Sequence, residues 1–327
     1  MRFGALIPSG WVLDLVDIPV EEQWETMLDV TRTVEATGFD SAWTVDHFHT
    51  TPQPTQESTY EAWSLTAAIA AATETIRLGQ MATCNSYRSP AYLAHLAASV
   101  DVISGGRLEV GIGAGWYEHE YLAHGYLFPK PSVRIGQLAE SIEILRRMWT
   151  DDEASFEGEH YRIQDAICRP KPLQKPHIPI WVAGGGEKLT LRVAARYASH
   201  TNFGDSPEAF AHKSQILREH CSEIGRDFDE ITRSTSIVLV CAPTEAEALE
   251  RFDETVERRR RLIKDHQVLD RYAAKARELS GPPDKIIDRL RPYVAQGLGY
   301  LLVRFPDAAY DKTGIELFAR EVIGNTP

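Results

Sequence analysis

Nothing in the spacing of the cysteines suggests a metal site or a redox pair. Cys84, Cys168, Cys221 and Cys241 are the chain's only four and stand far apart, which fits a reducing compartment. Positive charge is also scarce. Lys and Arg number 35 against 47 Asp and Glu, a formal net charge of −12. That balance argues against nucleic acid and anionic membranes as partners. The one basic cluster, Arg258 to Arg261, continues a helical stretch rich in glutamate and reads as a solvated helix end. There is no long apolar run. The N-terminal Met1 to Pro8 enters a strand at once, without the pattern of a signal peptide or membrane span. The expectation is a cytoplasmic protein. No internal repeat, Walker pattern or Gly-x-Ser-x-Gly elbow occurs. What remains is ordinary globular composition, 43% hydrophobic and 25% charged over 327 residues, enough for one α/β barrel and its core.

The stretch that organises the rest is Arg107 to Trp116. Leu108 to Ile112 is a short apolar run that reads as a buried strand, and it runs into Gly111, Gly113 and Gly115. Glycines at a strand end allow positive φ and close approach of the backbone to a ligand. Gly105 and Gly106 just upstream read as a helix C-cap. A dinucleotide fingerprint is excluded, because Trp116 stands where the third glycine of Gly-x-Gly-x-x-Gly belongs. A tight turn without a ligand remains the alternative.

Along the chain, strands are expected at 2–7, 41–45, 76–82, 108–112, 178–182, 200–203, 234–241 and 298–304, separated by helical patterns. Eight alternations imply parallel strands closed into a (β/α)8 TIM barrel, one domain over residues 1–327. Residues 151–178 break the rhythm. Ser155 to Ile163 looks like a hairpin and a Pro-rich tail follows, so this segment reads as an insertion.

Barrel active sites lie at the C-terminal ends of strands. The candidates there are Asp46 and His47, Thr83 to Asn85, Gly111 to Glu118, Gly184 to Lys188, Asn202 and Arg304. Each has a plainer reading: Asp46 as a cap, His47 as a structural histidine, Asn85 as turn chemistry, Arg304 as partner of a rim acid. Gly184, Gly185 and Gly186 read either as a strand-to-helix turn or as a phosphate cradle. Asp46 and His47 point oppositely on a strand, so they and His49 do not converge on a metal without a third element. Trp43, Trp63, Tyr87 and Trp116 read as core or as walls of an apolar pocket.

In combination, Asp46-His47-Phe48, Thr83 to Pro90, Leu96 to Trp116 and Pro179 to Leu191 resemble the bacterial-luciferase-like superfamily, in its branch of oxidoreductases using the deazaflavin coenzyme F420. Phe156 to Tyr161 and Arg169 to Gln174 resemble that family's insertion. The resemblance covers most of residues 1–205. It implies a flavin-like ring at the C-terminal mouth, lying against the Gly113, Gly115 and Trp116 turn. It also implies a non-prolyl cis peptide near Met81–Ala82, next to Thr83, and cofactor phosphate near Ala183 to Gly186. By the same analogy Asp46 and Asn85 bond the ring edges, His47 moves the proton that accompanies the hydride, and Glu118 is the second proton-transfer candidate. The branch includes FMN enzymes, so FMN is the alternative cofactor. A small organic substrate and a homodimer are implied as well. Cys84 departs from the small or apolar residue that many members carry there.

Overall fold

The computed structural model describes residues 1–204 and 206–326. The chain begins β1 (Arg2–Leu6), α1 (Val20–Ala36), β2 (Ser41–Thr44), α2 (Ala62–Ala72), β3 (Arg77–Gln80), β4 (Thr83–Cys84), α3 (Pro90–Ile103) and β5 (Leu108–Gly113). It continues with α4 (Glu118–Ala123), α5 (Pro131–Thr150), β6 (Ala154–Glu157), β7 (Arg162–Ala166), β8 (Ile180–Ala183), α6 (Thr190–Tyr197) and β9 (His200–Asn202). It ends with α7 (Pro207–Glu223), β10 (Thr232–Val238), α8 (Glu245–Arg260), α9 (His266–Leu279), α10 (Pro283–Ala295), β11 (Tyr300–Arg304) and α11 (Thr313–Glu321). The fold is a (β/α)8 barrel, with β3 and its continuation β4 filling one strand position and β6–β7 lying outside the parallel set.

Local sequence explains the element ends. Ser89 caps α3 by accepting from the Tyr92 amide, and Pro90 follows at the first helical position. At the other end Gly105 and Gly106 take positive φ, and the Gly106 amide returns to the Asp101 carbonyl at 2.8 Å. α1 presents Met27, Leu28, Val30 and Val34 inward, and Glu21 and Glu22 in its first turn complement the helix dipole.

By contact density the chain forms two compact units. The first is Met1–Glu61, Asp205–Phe210 and Ser234–Pro327; the second is Ala62–Gly204 and Ala211–Arg233. In the first, β1 pairs in parallel with β2 and β11, and β11 with β10. Their C-terminal ends therefore share one side, with Trp11, Asp46, His47 and Arg304 at or just beyond them. Its core includes Leu13, Val16, Val240, Phe252, Val256 and Ile263.

In the second unit β5 pairs in parallel with β3, β4 and β8, and β8 with β9. Buried Glu109 on β5 is not left alone: Arg77 pairs with it, and the Trp181 indole donates to it at 2.8 Å. The expected hairpin is present as antiparallel β6 and β7. One carboxylate holds its turn, because Glu140 on α5 accepts the amides of Glu159, His160 and Tyr161 at 2.8–2.9 Å. The Pro-rich tail is held by buried Asp101, which accepts from the Leu173 and Gln174 amides and the Gln174 side chain.

The expected strand 76–82 is corrected. β3 stops at Gln80, the Met81–Ala82 peptide is cis, and pairing resumes at Thr83 as β4. The expected strand 234–241 lies earlier, at Thr232–Val238.

A pH dependence follows from Asp307, beyond β11. Burial pushes its carboxyl up to about 6, although Arg251 bonds it at 2.5 Å and pulls the other way. The folded state then binds the proton more tightly than the unfolded chain does. The stabilising contribution is full below roughly pH 4 and is lost as pH rises through about 6. Urea unfolding of Asp307→Asn at pH 4 and pH 7 should show a stability loss on raising pH that is smaller than the parent's by roughly 2–3 kcal/mol. Equal losses in the two proteins would contradict the assignment.

Candidate active site

In the first unit, Asp46 is buried two residues beyond β2. His47 is half-buried and stacks on Trp11, with ring centroids 4.9 Å apart and planes 6° from parallel. Trp11 belongs to the loop after β1, whose shape is fixed by one local bond and one long-range bond. The Gly10 amide donates to Asp14 at 2.7 Å, and the Thr51 amide donates to the Trp11 carbonyl at 2.7 Å. Gly10 has φ +92°, and a Cβ there would run into the Ser58 carbonyl. Arg304, the last residue of β11, is buried, and among the described residues no acid is bonded to it; its side-chain hydrogen bond goes to the Tyr272 hydroxyl. In place of the rim acid of the plainer reading, Arg304 bonds a phenol.

In the second unit, Thr83 is buried and its hydroxyl bonds the Gln80 amide oxygen at 3.3 Å. Asn85 is buried too. Its Nδ2 donates to the Tyr161 hydroxyl at 3.5 Å, while its Oδ1 has no partner. Gly113 ends β5, and Gly115 takes φ +76°. A Cβ on Gly115 would overlap the Tyr121 hydroxyl and approach the Cys84 thiol. That hydroxyl lies 2.9 Å from Cys84 Sγ and donates to the Ala114 carbonyl at 3.2 Å. Beside it the Tyr87 hydroxyl donates to Glu120 Oε2 at 2.5 Å. Burial, reinforced by the neighbouring Cys84, pushes both tyrosines far above their ordinary range, so both stay phenols and act as donors. The sequence reading missed this buried group. Its only signal was the dense run of aromatic and acidic residues from 117 to 121.

Trp116 is 62% exposed and stacks on Tyr117 at 5.0 Å. Glu118 is exposed at the start of α4, whereas Glu120 of the same helix is buried. Trp43 and Trp63 are core residues, with the Trp43 indole donating to Ser41 at 2.6 Å.

The glycine loop differs from expectation in one respect. Ala183 ends β8, and Gly184, at φ +117°, gives its amide to the Asn202 carbonyl at 3.0 Å. α6 does not begin until Thr190, so a turn at 187–189 separates Gly184 to Gly186 from the helix end. Lys188 is exposed on that turn. The cation at the loop is Lys213 of α7, whose ammonium occupies the space a Gly185 Cβ would need.

Among the described residues no cluster of three His, Cys, Asp or Glu is placed to hold a metal ion. No described helix is long and apolar enough to cross a membrane.

A family model described as luciferase-like monooxygenase matches residues 1–299. The chain belongs to the luciferase-like monooxygenase family. One relative, the F420-dependent glucose-6-phosphate dehydrogenase of Amycolatopsis mediterranei strain U-32, is 26% identical over 295 residues, covering 83% of this chain and 86% of that protein. Among solved structures, an F420-dependent secondary alcohol dehydrogenase bound to an F420-acetone adduct superposes with a TM-score of 0.80 at 20% identity, covering 98% of each chain. A type II Baeyer–Villiger monooxygenase component of Pseudomonas putida, in complex with FMN, gives 0.78 at 20% identity, covering 100% of this chain and 99% of that one. At these identities the two solved structures show that this luciferase-like chain shares their fold.

Proposed function

We propose that the protein is an F420-dependent oxidoreductase that moves a hydride between the deazaflavin and a small organic substrate. The observation that carries the reading lies at the strand ends of the second unit. Asn85 Oδ1 is a buried acceptor without a partner, and the Gly184 to Gly186 loop stands against the Lys213 ammonium. The first suits a ring N–H and the second suits a phosphate; a flavin-like cofactor has both. When bound, that group would supply the hydride-transfer chemistry. This chain's residues bind it, orient it and move the proton. His47 carries the proton at an imidazole nitrogen, its ring plane fixed by Trp11. Asp46, Thr83, Gly113, Gly115 and Trp116 complete the proposed ring contacts, and Glu118 is the second proton carrier.

FMN is the second reading, favoured by the likeness to an FMN-bound member of the fold. Equilibrium binding of the apo-protein to F420 and to FMN separates the two, and no binding of either would sink both. We also read the chain as a single-domain cytoplasmic homodimer, in line with four free buried cysteines and the acidic composition. Sedimentation at micromolar concentration tests the dimer.

The phosphate assignment makes a sharper prediction. A charge-assisted bond to phosphate is worth about 1.5–3 kcal/mol. Lys213→Met should therefore weaken the phosphorylated cofactor about tenfold, or about 1.4 kcal/mol. Gly185→Val should do the same, since its side chain displaces the ammonium. A phosphate-free analogue should bind parent and variants alike. Unchanged affinity of both variants for the phosphorylated cofactor means the phosphate is held elsewhere.

A further inference from the structure

Among the described residues, two arginines of the first unit are buried together with too little negative charge to balance them. Arg259 on α8 is 3% exposed and Arg304 at the end of β11 is 8% exposed. Arg259 Nη2 and Arg304 Nε have no hydrogen-bond partner. The carboxylate in Arg304's electrostatic surroundings is Asp14, also buried, and Asp14 spends one oxygen on the Gly10 amide. Among the described residues, two guanidinium groups and one carboxylate leave one unbalanced positive charge away from water. Buried charges are ordinarily paired and buried N–H groups bonded. The Tyr272 hydroxyl accepts from Arg304, which leaves its hydrogen to donate. The Arg304 guanidinium lies 5.3 Å from the centre of the Trp11 ring, the indole that also stacks on His47.

We propose that Arg259, Arg304 and Tyr272 form the recognition site for an oxyanion of the substrate, a carboxylate or phosphate ester, whose organic part lies along Trp11 toward His47. The donors match the chemistry. Guanidinium N–H groups are rigid and suit planar carboxylates and phosphates. Asp14 tunes the site by cancelling one of the two cations. The proposal rests on the reading that His47 moves the proton of the reaction, because that is what makes the neighbouring anion part of the substrate. The cofactor's own phosphate is assigned above to the glycine loop and Lys213.

The test is calorimetric titration of the full chain with inorganic phosphate and with acetate. It is run on the Lys213→Met background so that the glycine loop does not contribute. Saturable binding at one site is expected. Arg259→Met and Arg304→Met should each weaken it at least tenfold, and Asp14→Asn should tighten it threefold or more. Opposite signs from removing a cation and removing the anion are not expected of side chains that only support the fold. Should the methionine variants fail to fold, Asp14→Asn still decides: unchanged or weaker binding overturns the proposal. So does an anion affinity that the arginine substitutions leave alone, or no anion binding at all. Titration of the same variants with F420 and FMN should give affinities within twofold of the background protein. A loss there instead would assign the arginines to the cofactor and overturn the substrate claim. Failure of the parent to bind either cofactor would sink the proposed oxidoreductase while the anion titrations still read on this site.

Discussion

His47→Ala is expected to lower hydride transfer between cofactor and substrate by roughly 10²–10⁴-fold, the range for losing a positioned proton carrier. The imidazole is held, not merely present. It lies flat against Trp11 at the C-terminal side of the first unit's strands, where its ring cannot turn freely. Cofactor affinity should change by no more than about threefold, since in this reading His47 moves the proton and does not anchor the ring. Single-turnover mixing of reduced cofactor with a substrate the parent accepts measures the rate directly, and a titration of the same variant measures the affinity. A rate within twofold of the parent's would remove His47 from the chemistry. The protein would then have to move its proton through another group, with Glu118 the first to examine.

Gly115→Ala should be strongly destabilising. The added carbon must adopt φ +76°, which for an L-residue costs about 1–2 kcal/mol. It also meets the Tyr121 hydroxyl and Cys84 thiol. Tyr121 is fully buried and bonded to the Ala114 carbonyl, so it has nowhere to retreat. Overpacking of this kind adds about 1–3 kcal/mol. A total loss of roughly 2–5 kcal/mol is expected in denaturant unfolding, with cofactor binding weakened in whatever fraction folds. Removing the obstructing oxygen in Gly115→Ala/Tyr121→Phe should restore part of the loss. A single variant as stable as the parent within about 0.5 kcal/mol would mean that the turn relaxes without strain.

The order of strands and helices was legible because each segment repeats its apolar residues at the period of its own backbone. β5 and its glycines, the Gly105–Gly106 cap and the β6–β7 hairpin all carried that local signal. The break between β3 and β4 did not, since a cis peptide leaves no trace in hydrophobic periodicity; the Met81–Ala82 cis bond was implied by the family resemblance, and it is present. α4 was missed because six residues are too few to show a helical period, and Tyr117 at its N-cap makes no side-chain cap bond. The proposed site was legible where its residues sit next to a strand end, as at Asp46, His47, Asn85 and the glycine loop. It was not legible where side chains far apart in sequence meet. Lys188 was the cation in view beside the glycine loop, yet α7 brings Lys213 there. Trp11 against His47, and Arg259 with Arg304 and Asp14, are likewise products of packing.

The division of the chain into units also sets a timetable for its synthesis. Except for Ala211–Arg233, the second unit is one uninterrupted run, Ala62–Gly204, so it can assemble as it emerges. The first unit cannot. β1 must wait for β11, whose Tyr300 pairs with Arg2. At about 5–20 residues per second, roughly 15–60 s separate the two strands on the ribosome. During that interval Phe3 and Ala5, buried in the finished protein, have no β11 to lie beside. The earliest-made strand is thus among the last to be secured on both edges, since until β11 emerges it can pair only with β2.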